Sequence, residues 1–245
     1  MTVTQPAIRD NIAAVQDVIA DACARSNRNK SDVTLVAVSK THPVEYILTA
    51  MEAGLTHFGE NRVGESMVKV PEINQQVDKQ ATWHFVGHIQ SRKAKDVAPL
   101  FQVIHSIDRM KIAHKLSDLG EETQHTLSTL VEINISGEEA KYGFEASNWK
   151  TNPKVKEALW QAMREITALP HIKVSGLMTM APFYDNMEQT RPVFAGLAEL
   201  RDELQSDLDI ALPDLSMGMT NDYPVAIEEG ATIIRVGRAI FGERH

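Results

Sequence analysis

The chain alternates short apolar segments with longer amphipathic ones, and this alternation limits its fold more than any other feature. Short runs rich in Val, Ile and Leu, bounded by turn residues, are typical of strands that are buried on both faces. We place such strands at residues 33–39, 55–59, 83–87, 103–107, 128–135, 172–179, 214–218 and 232–237. Helical patterns fill the intervals at residues 43–53, 60–78, 90–98, 109–122, 153–168, 187–206 and 221–229.

Eight strands separated by helices predict an α/β fold, a single (β/α)8 TIM barrel whose parallel sheet closes on itself. A doubly wound open sheet is the alternative, but no GxGxxG motif follows the first strand. An extra N-terminal helix is expected at residues 6–25, because its apolar residues recur at spacings of three and four. Since no Pro-, Gly- or Ser-rich linker interrupts the pattern, we expect residues 1–245 to form one domain.

Composition excludes several classes of function. The net charge of −8 provides no overall basic field, so we expect neither a nucleic acid nor a membrane as partner. Cys23 is the only cysteine, which rules out an intrachain disulfide and a CxxC zinc or redox motif. No apolar run approaches the roughly 18 residues of a membrane span, and the N terminus lacks the pattern of a secretory signal. A cytoplasmic protein is therefore expected.

Lys40 ends the apolar run VTLVAVSK at residues 33–40, and the residues THP that follow break the strand. In a barrel, reactive groups gather at the carboxyl ends of the strands. A lysine there is a candidate to form a Schiff base, provided that burial or nearby positive charge lowers its pKa from the reference value of about 10.4. The alternative is a lysine that extends from the strand end into solvent.

Two segments after the seventh and eighth strands, SMGMTND at 216–222 and RVGRAIFG at 235–242, have the composition of a phosphate site. The loops at these positions commonly bind phosphate in barrels, through hydroxyls and closely approaching backbone amides. The candidates are Ser216, Gly218, Thr220, Gly237 and Arg238. Glycines at such turns also serve tight geometry alone, so this pattern leaves a structural role open.

An amine on the first strand and a phosphate site on the opposite rim suit a cofactor that carries both an aldehyde and a phosphate. Pyridoxal 5'-phosphate is such a cofactor. Arg235 lies on the eighth strand, two residues before Gly237, where its guanidinium could donate to the pyridine nitrogen and leave that nitrogen unprotonated. The ring would then be a weak electron sink. An ion pair between Arg235 and an acidic neighbour is the alternative.

Seven segments carry a resemblance to a known family. They are VAVSKTHP (36–43), HFGENRVGE (57–65), WHFVGHIQSRK (83–93), HSIDR (105–109), SGLMTMAP (175–182), LSMGMTNDYPVAI (215–227) and IIRVGRAIFGER (233–244). In this order they resemble the pyridoxal phosphate homeostasis proteins, which are similar to the N-terminal barrel of alanine racemase. The resemblance covers nearly the whole chain.

The resemblance implies a role for each matching position. Lys40 would hold the cofactor as a Schiff base, and Arg235 would face the pyridine nitrogen. Ser216, Thr220 and the turn at Gly237 and Arg238 would surround the phosphate, while Asn61 and Met178 would line the pocket. Three residues depart from the usual pattern: His88 and Arg92 stand where many members have proline and asparagine, and Tyr142 where a small or polar residue is frequent. These three residues are expected at the edge of the barrel mouth, where they would affect access to the cofactor pocket.

Other chemistries remain open at this stage. A metal-dependent barrel hydrolase would use His57, His84 and His105, but the first strand has no HxH pair and the chain has no HExxH motif. An aldolase-type enzyme would use Lys40 on a phosphorylated substrate.

A racemase-type enzyme with weak activity is the alternative within the resembling family. Alanine racemase-like enzymes take one acid/base residue from a second, β-rich domain, and only four residues follow Phe241. We therefore expect a non-catalytic monomer that holds the cofactor and delivers it through transient contact with pyridoxal phosphate-dependent apoenzymes.

Overall fold

The computed structural model describes residues 4–77 and 81–243. In these ranges the strands are β1 (Thr34–Val38), β2 (His57–Glu60), β3 (Thr82–Phe85), β4 (Val103–Ile107), β5 (Leu127–Asn134), β6 (Phe144–Glu145), β7 (Ile172–Met178), β8 (Asp214–Met219) and β9 (Ile233–Val236). The helices are α1 (Gln5–Arg25), α2 (Val44–Glu52), α3 (Val63–Gln76), α4 (Ala94–Val97), α5 (Met110–Thr123), α6 (Pro153–Ala168), α7 (Arg191–Leu208), α8 (Tyr223–Glu228) and α9 (Arg238–Phe241). Short 3-10 turns precede β1, α4 and α7.

The strands form a closed parallel barrel. β1 pairs with both β2 and β9, and β4 pairs with both β3 and β5, so the sheet returns to its starting strand. Eight strands complete the barrel, and β6 extends the sheet beside β5. The predicted (β/α)8 barrel with an extra N-terminal helix is confirmed. The closing pairs are incompatible with the alternative of an open, doubly wound sheet.

Differences from the predicted elements are local and have simple causes. The helix expected from residue 60 begins at Val63, because the chain stays extended through the strand end at Glu60. Its predicted end at residue 78 lies outside the described residues. The pattern missed β6, since a strand of two residues is too short to show periodicity. The segment at 90–98 forms a 3-10 turn followed by the four-residue helix α4.

Side chains alternate between the two faces of each strand, as the pleat requires. The outer face packs on the helices through large apolar residues such as Phe58, Trp83 and Phe85, all fully buried. A separate small apolar cluster joins Val36, Leu130, Met178 and Ile233 from four different strands. These residues fill only part of the barrel interior. Buried polar residues occupy the rest, and they are His84, His105, Glu132, Ser216 and Arg235.

Helix α1 secures the C-terminal part of the barrel. It packs against α2, α8 and α9 through a buried stripe that includes Ile8, Ile12 and Ile19. The Asn11 side chain donates to the Ile240 carbonyl at 3.0 Å. The extra helix therefore supports the segments that follow β8 and β9. No helix in residues 4–77 and 81–243 is both long enough and apolar enough to cross a membrane.

Candidate functional site

A cavity of about 620 Å³ opens at the carboxyl ends of the barrel strands. Its walls come from the ends of seven strands or the loops that follow them, and include Val38, Lys40, Asn61, Gly87, Glu132, Met180, Thr220, Arg235 and Gly237. The volume lies within the range of about 300–1,000 Å³ that is typical of small-molecule sites. The position is also where barrels carry their functional groups.

Six of the nine predicted cofactor-binding residues line this cavity: Lys40, Asn61, Thr220, Arg235, Gly237 and Arg238. The other three lie behind its wall. Met178 belongs to the apolar cluster inside the barrel, and Met180 lines the cavity instead. The fully buried Ser216 contacts Arg235. The roles predicted for these nine residues in cofactor binding remain predictions.

Gly218 and Gly237 allow close approach of neighbouring segments. Gly218 has a φ of +89°, and a Cβ there would lie 2.6 Å from the Cβ of Ala226 and 2.9 Å from the Cα of Tyr223. A Cβ on Gly237 would lie 3.0 Å from the Val38 carbonyl oxygen. Gly218, which lies within β8, thus allows this strand to approach α8 closely, and Gly237 allows the end of β9 to approach β1.

Lys40 follows the end of β1, and Arg235 lies on the neighbouring strand β9. The pairing of β1 with β9 sets Val36 opposite Arg235 and Ala37 opposite Val236, so both strands end at the same rim. Thr41, directly after Lys40, has a left-handed φ of +68°. Its amide donates to Glu65 Oε1 at 2.7 Å, and this bond helps to offset the strain of that conformation.

A buried ionic cluster fixes the residue on the other side of Lys40. Lys69 Nζ donates to the Ser39 carbonyl at 3.1 Å and to Glu60 Oε1 at 3.0 Å, and it also contacts Glu65. The Ser39 hydroxyl donates to Glu60 Oε1 at 2.8 Å. Burial raises the pKa of Glu60, and Lys69 and Ser39 oppose this shift. The segment that carries Lys40 is therefore held at both Ser39 and Thr41.

Two acceptors near this segment are buried without a hydrogen-bond partner among the described residues: Glu60 Oε2 and Asn61 Oδ1. An unsatisfied buried acceptor costs about 1–3 kcal/mol. Asn61 lines the cavity, so a ligand with a donor group could satisfy its oxygen.

Arg235 is a buried cation in the cavity wall, with 5% of its surface exposed. Its Nη1 donates to Ser216 Oγ and its Nη2 to the Thr179 carbonyl at 2.9 Å. Burial lowers the pKa of Arg235 to about 10, against the opposing charges of Glu132 and Asp222. The guanidinium stays protonated near neutral pH. Because these two hydrogen bonds use two of the five N–H groups of the guanidinium, others can serve a ligand.

Glu132 is a functional candidate that sequence reasoning missed. It lines the cavity and is 3% exposed. Burial raises its pKa to about 7, the negative charge of Asp108 adds to this shift, and Arg235 opposes it. The sequence feature that could have identified Glu132 is its place as an acidic residue in the otherwise mostly apolar run LVEINI. Acidic side chains are almost never fully buried unless they are paired.

The mouth of the cavity has an aromatic edge. The ring of His88 stacks on Tyr142 at 3.9 Å between centroids, and His88 Nδ1 lies 2.6 Å from Asp108 Oδ2. Exposed Phe183, Tyr184 and Met187 line the same mouth. Of the three departures from the family pattern, His88 and Tyr142 thus meet at the mouth. The exposed Arg92 bonds instead to Gln90 at 3.3 Å.

The histidines considered for a metal do not converge on a point. His57 Nδ1 lies 2.9 Å from His84 Nε2, and His84 Nδ1 lies 2.8 Å from His105 Nε2. Their nitrogens face one another in a line. In the part of the chain that the structure describes, no group of three or more His, Cys, Asp or Glu side chains is arranged to hold a metal ion.

Comparison with known proteins gives a consistent result. The family model described as alanine racemase, N-terminal domain, matches residues 4–245. The chain belongs to this family.

Two similar curated proteins share one name. The chain is 40% identical over 235 residues to the pyridoxal phosphate homeostasis protein of Aquifex aeolicus, covering 96% of this chain and 97% of that protein. It is 34% identical over 241 residues to the protein of the same name from Escherichia coli K12, covering 97% of each.

Solved structures agree with this result. PipY of Synechococcus elongatus PCC7942 is 33% identical, with TM-scores of 0.81 without PLP and 0.79 with PLP bound, and 96% of this chain and 100% of that chain are covered. An alanine racemase of Clostridium difficile 630, at 14% identity, has a TM-score of 0.70 over 96% of this chain and 56% of that chain. It shows likeness of fold alone.

The buried ionic cluster yields a prediction about stability. Replacing Lys69 by methionine leaves the buried Glu60 carboxylate without its cation, and losing one partner of a buried pair costs about 3–5 kcal/mol. We expect Lys69→Met to lower the free energy of unfolding in urea by this amount, and the double variant with Glu60→Gln to recover more than half of it. Lys93→Met, which removes a partly exposed pair with Asp96, is the control and should cost less than about 1 kcal/mol. Equal losses from both single variants would contradict this interpretation.

Glu132 yields a prediction about pH. Its pKa is raised to about 7 in the fold from about 4.3 when unfolded, so the folded state binds more protons than the unfolded state between these values. Stability from this group is then present below about pH 4.3 and is lost as pH rises to about 7, by about 4 kcal/mol in total. We expect the stability advantage of Glu132→Gln over the wild type to grow across this window in urea titrations. An advantage that does not vary with pH would contradict the shift.

Proposed function

We propose that this chain binds pyridoxal 5'-phosphate in the barrel cavity and acts as a non-catalytic holder of the cofactor in pyridoxal phosphate homeostasis. The observation that carries the proposal is the meeting, in one cavity, of the Lys40 amine, the buried Arg235 cation and the Thr220 and Arg238 side chains. The names of the similar proteins and the PipY structure with PLP bound support it.

The residues of the cavity fit this cofactor. Its volume of about 620 Å³ is ample for one small planar molecule. The buried oxygen of Asn61 lacks a partner among the described residues, and the cofactor carries a phenolic hydroxyl that could donate to it. When bound, the cofactor supplies an aldehyde that condenses with a lysine amine to a Schiff base.

Each side of the cavity would hold a different part of the molecule. Lys40 would make the covalent bond, and Ser39 and Thr41, which are held by Glu60 and Glu65, would orient it. Thr220 and the turn at Gly237 and Arg238 would bind the phosphate through a hydroxyl, backbone amides and a guanidinium.

Residues behind the wall would support these contacts. Ser216 bonds to Arg235 and would keep the guanidinium directed at the pyridine nitrogen. Gly218 would shape the turn that presents Thr220. Met178 would pack beneath the ring as part of the apolar cluster inside the barrel.

Arg235 favours holding over catalysis. A guanidinium that remains charged donates a hydrogen bond but keeps its proton. The pyridine nitrogen therefore stays unprotonated, and the ring withdraws electrons weakly. A racemase-type enzyme with weak activity is the second candidate. Glu132 favours it, because a carboxyl group with a pKa of about 7 in the cavity wall exchanges protons near neutral pH.

We further propose that the chain acts as one domain over residues 1–245, as a monomer in the cytoplasm, and passes the cofactor to apoenzymes through transient contact. The exposed Phe183, Tyr184 and Met187 at the mouth support such contact. Exposed apolar groups gathered at one place are typical of interaction surfaces.

The covalent role of Lys40 can be tested by spectroscopy. We expect the wild type to turn yellow with pyridoxal 5'-phosphate and to be labelled by borohydride reduction, whereas Lys40→Ala should show neither effect, because Lys40 is the only lysine among the described residues that line the cavity. Lys111→Ala removes an exposed lysine of α5 and should behave as wild type. Labelling of Lys40→Ala at the wild-type level would refute the role.

Exchange of an amino acid's Cα proton for deuterium at enzymatic rates would favour the racemase candidate.

The phosphate site can be tested with a pair of ligands. Thr220→Val removes a hydroxyl at the predicted phosphate position without changing the volume of the side chain. Because hydrogen bonds to charged groups contribute about 1.5–3 kcal/mol, we expect about a 10-fold weaker affinity for pyridoxal 5'-phosphate and unchanged affinity for pyridoxal, measured by absorbance titration. Thr123→Val, at an exposed site on α5, is the control. Equal weakening for both ligands would place the phosphate elsewhere.

A further inference from the structure

A continuous line of hydrogen bonds crosses the interior of the barrel and ends at Arg235. It runs from His57 to His84 at 2.9 Å, from His84 to His105 at 2.8 Å, and from His105 Nδ1 to Ser216 Oγ at 2.8 Å. Arg235 Nη1 donates to the same Ser216 oxygen. His84, His105 and Ser216 are buried, while His57 is partly exposed. The line therefore connects a partly exposed imidazole to the cavity wall.

The donors in this line can be assigned from the guanidinium outward. Arg235 can only donate, so Ser216 Oγ accepts from it and its own proton is free to go to His105 Nδ1. His105 then carries its proton on Nε2 and donates to His84 Nδ1, and His84 donates from Nε2 to His57 Nδ1. In this direction every nitrogen between Ser216 and His57 has a partner. In the reverse direction Ser216 would accept twice and its hydroxyl proton would need another acceptor.

The imidazoles stay neutral, which the line requires, because a protonated ring has no acceptor nitrogen. Burial lowers the pKa of His57. Burial is the main cause that lowers the pKa of His84 to about 3, and the electrostatic influence of the neighbouring His57 is the second. Burial also brings the pKa of His105 well below its usual range, and His84 and Arg235 add to this effect.

We propose that His105, His84 and His57 form a polarised hydrogen-bond chain whose acceptor nitrogens point toward Arg235, and that His105, through Ser216, positions the guanidinium at the cavity wall. Three neutral rings with the same tautomer turn the negative ends of their dipoles toward a buried cation. They replace part of the hydration that Arg235 loses on burial. His105 is therefore a positioning residue that need not touch a ligand.

The first test uses the protein without ligand. Long-range ¹H–¹⁵N NMR spectra distinguish the two neutral tautomers of histidine from the cation. We expect His57, His84 and His105 to be neutral and protonated on Nε2 at pH 7. A cationic ring, or a proton on Nδ1 of His105, would overturn the proposal. This readout does not depend on whether the chain binds pyridoxal 5'-phosphate.

The second test rests on the proposed function and measures affinity for pyridoxal 5'-phosphate by absorbance titration. His105→Phe keeps a ring but removes the acceptor for the Ser216 hydroxyl. Because one hydrogen bond in the line to the Arg235 cation is lost, we expect binding to weaken about 10-fold. His105→Asn restores an acceptor near the Nδ1 position and should stay within about 3-fold of wild type. His114→Phe changes an exposed histidine of α5 and is the control.

A double-variant cycle separates positioning from packing. If His105 acts through Arg235, the effect of His105→Phe on affinity should largely disappear when Arg235 is replaced by methionine, giving a coupling energy instead of additive losses. Fully additive losses, or a His105→Asn variant as weak as His105→Phe, would overturn the proposal. If the wild-type protein fails to bind the cofactor, the proposed function is wrong. The tautomer measurement then tests the polarised hydrogen-bond chain on its own.

Discussion

The pairing of β1 with β9 is the contact on which the site depends. It closes the barrel and places Val36 opposite Arg235, so that residues from the first and last strands reach one rim. Lys40 and Arg238 both line the cavity there. The same pairing carries Arg235 into the barrel wall, and a buried cation is tolerated only where other groups compensate for its lost hydration.

Much of the barrel interior serves that compensation. Barrels of this kind are usually filled by bulky branched residues, but here the apolar cluster of Val36, Leu130, Met178 and Ile233 fills only part of the space. The remaining space holds a hydrogen-bonded line of imidazoles and Ser216. A second cluster, around Lys69, fixes the strand end that carries Lys40. Both clusters hold a candidate cofactor-binding side chain through its neighbours, which is how rigid sites are usually supported.

Sequence periodicity predicted the strands of the barrel to within two residues, because buried strands leave an apolar pattern that turns interrupt. The rule that functional groups lie at strand ends drew attention to Lys40 and Arg235. The sequence could not show which of Met178 and Met180 lines the cavity. The strand ends between them, so the alternation of side chains along a strand no longer predicts where each one lies. The line of histidines also escaped prediction. Its members come from three strands, and only the closed sheet brings them into contact.

We propose that both ends of one cofactor are held across the paired strands β1 and β9. A crystal structure of the protein soaked with pyridoxal 5'-phosphate is the direct test. We expect electron density continuous with Lys40 Nζ, a phosphate beside Thr220 and the turn at Gly237, and a pyridine nitrogen facing Arg235. A molecule bound in the opposite orientation, or density separate from Lys40, would contradict it.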